Sequence, residues 1–160
     1  MALLGKLIKE ALIKQASQEL AAFTLYKEAS CWFDLKHFSG IAKKLNDEAD
    51  SEKKHFDEIL SYLTLRGEEV EIIFPEKQKK HWTTERSVFE FFLALEQENT
   101  QKYVNLIRLA RQHEEFDVER FLAPFLKEQY ESVDEWEGRV EKVKSFSAVP
   151  GLIWHLDHYL

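Results

Sequence analysis

The sequence predicts an all-α chain: a four-helix bundle with one long crossover between helices 2 and 3, and a short fifth helix at the C-terminal end. Three observations lead there. Glycine and proline are scarce, with five and three copies in 160 residues, so long stretches run without a breaker. Those stretches are rich in Leu, Glu, Lys and Ala, which are good helix formers. Their apolar residues recur at i, i+3, i+4 and i+7, the period of one helical face.

The first helix is expected from about Leu7 to His37, ended by Phe38, Ser39 and Gly40. The second runs from about Ile41 to Arg66, with Gly67 as its C-terminal cap. Glu68 to Trp82 has no helical period and forms the crossover. Thr83 or Thr84 is the expected N-cap of a third helix, Glu85 to Gln112. A turn at His113 to Phe116 leads into a fourth, from about Asp117 to Lys144, which Pro124 is expected to kink. Ser147 to Leu160 reads as the fifth helix, with Pro150 near its first turn. Each long helix spans roughly 40 Å at about 1.5 Å per residue. Short, long and short connections make a bundle whose middle link carries the chain along its whole length. The length fits one domain, residues 1–160.

Composition narrows the function. A formal charge of −7 gives nucleic-acid binding no electrostatic support. The single cysteine, Cys31, leaves no internal disulfide framework and no cysteine-based zinc or iron–sulfur site. No run of 18 apolar residues occurs, so no membrane span is expected. Met1 to Lys14 alternates apolar residues with Lys and Glu, unlike a secretory signal. The expected location is the cytoplasm, or an organelle such as a plastid where a transit peptide has been removed.

The informative feature is polar residues on apolar stripes. In the second helix Glu52 and His55 share a face with Leu45, Ala49, Phe56, Ile59 and Leu63. Glu96 sits among Phe89, Phe92, Leu93, Tyr103 and Ile107 of the third. Gln129 interrupts Leu122, Phe125, Leu126, Val133 and Trp136 of the fourth, and Glu19 lies between Leu12, Ala16, Phe23, Tyr26 and Phe33 of the first. Every long helix thus turns a ligand-type group inward near mid-length. Carboxylates buried together repel, and desolvation adds several kcal/mol per ion. Protonation relieves that cost, and so does a multivalent cation. Oxygen plus imidazole suits iron or manganese, whereas an all-oxygen site suits magnesium or calcium. A lone Glu-x-x-His is weak in a chain with 29 acidic residues; the weight rests on four helices offering ligands at one depth.

At these residues the chain resembles a non-haem ferritin, over nearly its whole length from Leu7 to Leu160. The matching segments are Glu19 to Tyr26, Glu48 to His55, Leu95 to Gln97 with Asn99 and Thr100, and Phe121 to Gln129. The tail from Pro150 to Asp157 is similar to the short fifth helix of ferritins. The resemblance implies an iron-storage protein with a ferroxidase centre, oxidising Fe(II) with dioxygen and storing Fe(III) mineral in a hollow shell of 24 identical subunits. Glu19, Glu52 and His55 match the ligands of the first iron, Glu52 also the bridging carboxylate, and Glu96 the second-iron ligand. Gln129 matches the glutamine beside the second iron, and Tyr26 the neighbouring tyrosine; read from the residues alone, Tyr26 is a core aromatic whose hydroxyl bonds a carboxylate. Many relatives hold a third iron with a second-helix and a fourth-helix glutamate. Glu48 fits the former, but Ser132 stands at the latter, so a third site is expected to be weak and to depend on Glu48. Glu119 falls where ferritins line threefold pores. Haem is not expected, since Met1 is the only methionine to serve a bacterioferritin-type ligand.

Two other readings remain. A rubrerythrin-type oxygenase or peroxidase calls for a second Glu-x-x-His on the fourth helix, where this chain has Gln129, Tyr130, Glu131 and Ser132. A catalytically slow shell protein that only nucleates mineral would be marked by loss of the Glu52, His55 and Glu96 set.

Overall fold

The computed structural model describes residues 3–160, as α1 (Lys6–Leu35), α2 (Ser39–Leu65), α3 (Glu85–Gln112), α4 (Phe116–Ser147) and α5 (Ile153–Leu156). α1 packs along α2 and α3 along α4, as two hairpins, and α1 also meets α3. Residues 66–84 return the chain along the bundle, so α3 runs parallel to α2. No helix among the described residues is long and apolar enough to cross a membrane.

The helix ends follow from local chemistry. α1, α2 and α3 each close with the amide two residues beyond the C-cap reaching back five residues: Phe38 to Phe33, Glu68 to Leu63, Glu115 to Ala110. The residue after the cap must then be left-handed. Gly67 takes that conformation at φ 77° without steric cost, whereas His37 and Glu114 adopt it as non-glycine residues. The Thr84 side chain accepts from the Ser87 amide at 3.1 Å, and Ser87 Oγ accepts from the Thr84 amide at 2.9 Å, a reciprocal cap for α3. α4 runs on through Pro124.

The fifth helix is shorter than the sequence led us to expect. α4 continues to Ser147, and a turn with Gly151 at φ 82° separates it from a single helical turn, Ile153–Leu156. The amides of Leu152, Trp154 and His155 bond back three residues, so the chain coils tightly and does not propagate an α-helix. Tertiary contacts hold this segment. Leu156 is fully buried, Trp154 stacks on Phe38 at 4.4 Å, and Asp157 Oδ1 accepts from the Ile41 amide at 2.8 Å. That carboxylate caps α2 from far along the chain, because Phe38 offers no side-chain cap. A Cβ on Gly40 would lie 2.0 Å from the Asp157 carbonyl oxygen, so only glycine permits the approach.

The core has two apolar halves. One gathers Tyr26, Phe33, Leu45, Phe92 and Trp136; the other gathers Leu12, Ile59, Leu63, Tyr103 and Leu122. Glu19, Glu52, Glu96 and Gln129 fall between them, one per long helix. Gly40→Ala should cost about 1–3 kcal/mol through overpacking, although alanine is the better helix former. Asp157→Ala should cost about 1 kcal/mol through the lost cap. Denaturant unfolding measures both, and faster proteolysis of the tail should accompany the loss.

Candidate metal centre

The stripe residues of the four long helices meet at mid-bundle as a polar layer. Glu19 is 0% exposed, and Glu52, His55, Glu96 and Gln129 are buried beside it. Three of them converge: one ligand atom each of Glu19, Glu52 and His55 lie within 4.8 Å of one another. His55 Nδ1 is 3.4 Å from Glu52 Oε2 and 3.9 Å from Glu19 Oε2. The other ring nitrogen, Nε2, is 2.6 Å from Glu128 Oε2, the length of a charge-assisted bond in which Nε2–H donates. That contact leaves Nδ1 directed at the two carboxylates, where the neutral ring would offer a lone pair to a metal.

Glu19 is held from one side. Its Oε1 accepts from Gln15 Nε2 at 2.8 Å, from Asn99 Nδ2 at 3.5 Å and from the Tyr103 hydroxyl. Its Oε2 is buried without any hydrogen-bond partner. A buried carboxylate oxygen with no donor is costly alone and is the atom a cation would satisfy. The donor set of two carboxylates and an imidazole fits a divalent iron ion.

Glu96 stands apart from that cluster. Oε1 accepts from the Tyr26 hydroxyl and Oε2 from Gln129 Nε2 at 3.0 Å. Thr100 Oγ1 bonds the Glu96 carbonyl at 2.8 Å and lies 3.4 Å from Gln129. Tyr26 therefore bonds a carboxylate, as the residue-level reading expected, within a stack on Phe92 at 4.2 Å.

Charge couples the two groups. Burial pushes the Glu52 carboxyl well above its ordinary range, with the Glu19 charge the next cause. Burial also raises Glu96, opposed by the bonds from Tyr26 and Gln129. Both tyrosines are raised well above 10, Tyr26 by burial and then Glu96, Tyr103 by burial and then Glu19. The hydroxyls thus stay protonated and act as donors.

Glu48 lies one turn before Glu52 but is engaged by Arg139, 2.7 Å away. Ser132 lines the same cleft. Glu119 pairs with Arg111, while Asp117 accepts from Tyr62 at 2.7 Å. His37, His81, His113, His155 and His158 are all exposed.

Sequence reasoning missed five contributors. Gln15, Asn99 and Tyr103 carried a signal, since each shares a face with Glu19 or Glu96 at three-, four- or seven-residue spacing. Arg139 carried one too, three residues after Trp136 on the inward stripe. Glu128 carried the weakest signal: it is three residues after Phe125, but it sits about 100° from Gln129, on the exposed side.

Fold and centre together define a class, the helical bundles that bury a carboxylate–histidine cluster at mid-length. Comparison with known proteins gives the family. The ferritin-like domain matches residues 9–146. Bacterial non-heme ferritins of Staphylococcus epidermidis and Staphylococcus aureus are each 29% identical, over 87% and 86% of this chain and 84% and 83% of theirs. Among solved structures, the apo-ferritin of Pseudo-nitzschia multiseries superposes with a TM-score of 0.91 at 28% identity, over 95% of this chain and 97% of that one. A PmFTN variant soaked in iron superposes at 0.92 and 28% identity, over 96% and 99%. The chain belongs to the ferritin family.

Removing one carboxylate should relieve the metal-free bundle. A group with a raised folded-state pKa contributes most below its unfolded pKa, and that contribution is lost as pH rises through the folded value. Glu52→Gln should therefore stabilise the metal-free protein by about 1–3 kcal/mol above neutral pH. The gain should shrink as pH falls toward the ordinary carboxylate range, where Glu52 takes up its proton in both states. Unfolding across a pH series checks it; a variant less stable than wild type at high pH contradicts the repulsion argument.

Proposed function

We propose that the protein stores iron, oxidising Fe(II) with dioxygen at the mid-bundle layer and depositing Fe(III) inside a hollow cytoplasmic shell of 24 copies. The observation that carries this reading is the unpartnered Glu19 Oε2, converging with Glu52 and His55. Family membership adds weight.

In this reading Glu19, Glu52 and His55 hold one Fe(II). Glu96, with Glu52 shared between the two positions, holds a second, and Gln129 and Tyr26 flank it. Glu48, held by Arg139, stands beside this pair as a charged neighbour. Iron and dioxygen are the substrates, and the chain supplies ligands, orientation and a dry site. A carboxyl ligand must be ionised, so any proton that burial favours on Glu52 or Glu96 leaves as metal enters. Two Fe(II) give one electron each, enough to reduce one dioxygen with two protons to hydrogen peroxide. Glu128 keeps His55 in the tautomer that presents Nδ1, and Gln15, Asn99 and Tyr103 keep Glu19 Oε2 facing inward.

Exposed apolar residues support the shell. Phe74 in the crossover is 83% exposed and Leu35 82%, while Trp154 is half exposed. Ile153, by contrast, packs against the core. Large apolar side chains this exposed on one protomer are of the kind that a closed homo-oligomer would cover. Light scattering should give about 456 kDa, 24 times 19.0 kDa; a stable monomer or dimer at micromolar concentration contradicts the shell.

Glu52→Ala and His55→Ala should each slow aerobic Fe(II) oxidation by about tenfold or more while the assembly persists. Partners outside the ligand set already carry effects of that size. Stopped-flow absorbance follows the rate. Wild-type speed in either variant contradicts the centre.

A further inference from the structure

Beside the cluster, a second charged group is buried against the same layer. The side chain of Arg139 on α4 is 7% exposed. Its Nη2 lies 2.7 Å from Glu48 Oε1 and 2.9 Å from Glu135 Oε2, and its guanidinium sits 4.6 Å from the Trp136 ring centroid. Its Nη1 is buried with no hydrogen-bond partner. A guanidinium keeps its charge at any pH the protein meets.

Both carboxylates that Arg139 contacts face one cleft, of about 360 Å³, with Glu52, His55, Glu128 and Ser132 also on its walls. The negative charge of Glu48 reaches the centre, where it helps to raise Tyr26, Glu52 and Glu96. Arg139 stands behind these two carboxylates, and the cation on the cleft wall, Lys54, is exposed and pairs with Glu58. The fixed positive charge beside Glu48 is therefore Arg139.

We propose that Arg139 is a built-in cation that takes Glu48 out of the ligand set, so that this site holds two metal ions and not three. The inference rests on the metal reading above. A third ion on Glu48 would sit beside a permanent positive charge. It would also break the Arg139–Glu48 contact and leave a buried guanidinium short of a partner. Ser132 brings no charge to offset either cost. With the guanidinium gone, Glu48 and Glu135 face the cleft unneutralised, and a divalent ion is the natural replacement.

Anaerobic calorimetric titration with Co(II) tests this on the assembled, metal-free protein, with Fe(II) as the second probe. Wild type should bind two ions per subunit, Arg139→Gln three, and the double variant Arg139→Gln with Glu48→Gln two again. Two ions in both wild type and Arg139→Gln overturn the inference and leave the metal pair intact. Three ions in the double variant overturn it as well, because the added site would not use Glu48. Fewer than two in wild type overturns the metal pair, and the inference with it. If Arg139→Gln does not assemble, a Co(II)-soaked wild-type crystal decides. An intact Arg139–Glu48 contact without metal on Glu48 supports the proposal, and metal on Glu48 with the guanidinium displaced overturns it.

Discussion

Three carboxylates buried in one layer repel each other, and the rest of the molecule is arranged around that repulsion. Glu19, Glu52 and Glu96 come from three helices, so no local change of backbone separates them. Glu19 and Glu96 are met by donors, most of them on other helices. Glu19 leans on Gln15, Asn99 and Tyr103, Glu96 on Tyr26 and Gln129, and burial makes the Glu52 carboxyl easier to protonate. Apolar packing on both sides fixes the depth of the layer and keeps water from screening it.

This arrangement makes the site asymmetric. Glu19, Glu52 and His55 converge with one oxygen left bare, while both oxygens of Glu96 are occupied by donors. Any ligand role for Glu96 would share its oxygens with the bonds from Tyr26 and Gln129. On the Glu19 side Oε2 has no such donor. The two sides of the layer therefore differ in preorganisation.

Much of the bundle was legible because helical period and helix punctuation agree. Thr84 announced α3, Gly67 closed α2, and the inward polar residue of each helix stood out against its stripe. What stayed hidden depends on contacts across the chain. The start of α2 reads as a helix end in Phe38, Ser39 and Gly40, because its cap comes from Asp157. The fifth helix looked longer, since its residues carry helical period while Gly151 and tertiary docking limit it to one turn. The bond from Glu128 to His55 joins an exposed face of α4 to a buried residue of α2, and no period within either helix marks it. Arg139 on the inward stripe was visible, but its partner Glu48 is known only once α2 and α4 lie side by side.

The cap on α2 has a consequence for biosynthesis. Asp157 is translated 116 residues after Ile41, so α1 and α2 can pair on the ribosome while the amide end of α2 is still bare. That end, with its unpaired N–H groups and partial positive charge, frays until the tail arrives. The turn between α1 and α2 is therefore among the last parts of the protomer to be finished, although it is among the first to be made. A nascent chain lacking its tail also leaves Phe38 without the Trp154 ring that stacks on it, so the aromatic seam of this turn closes only when synthesis is complete.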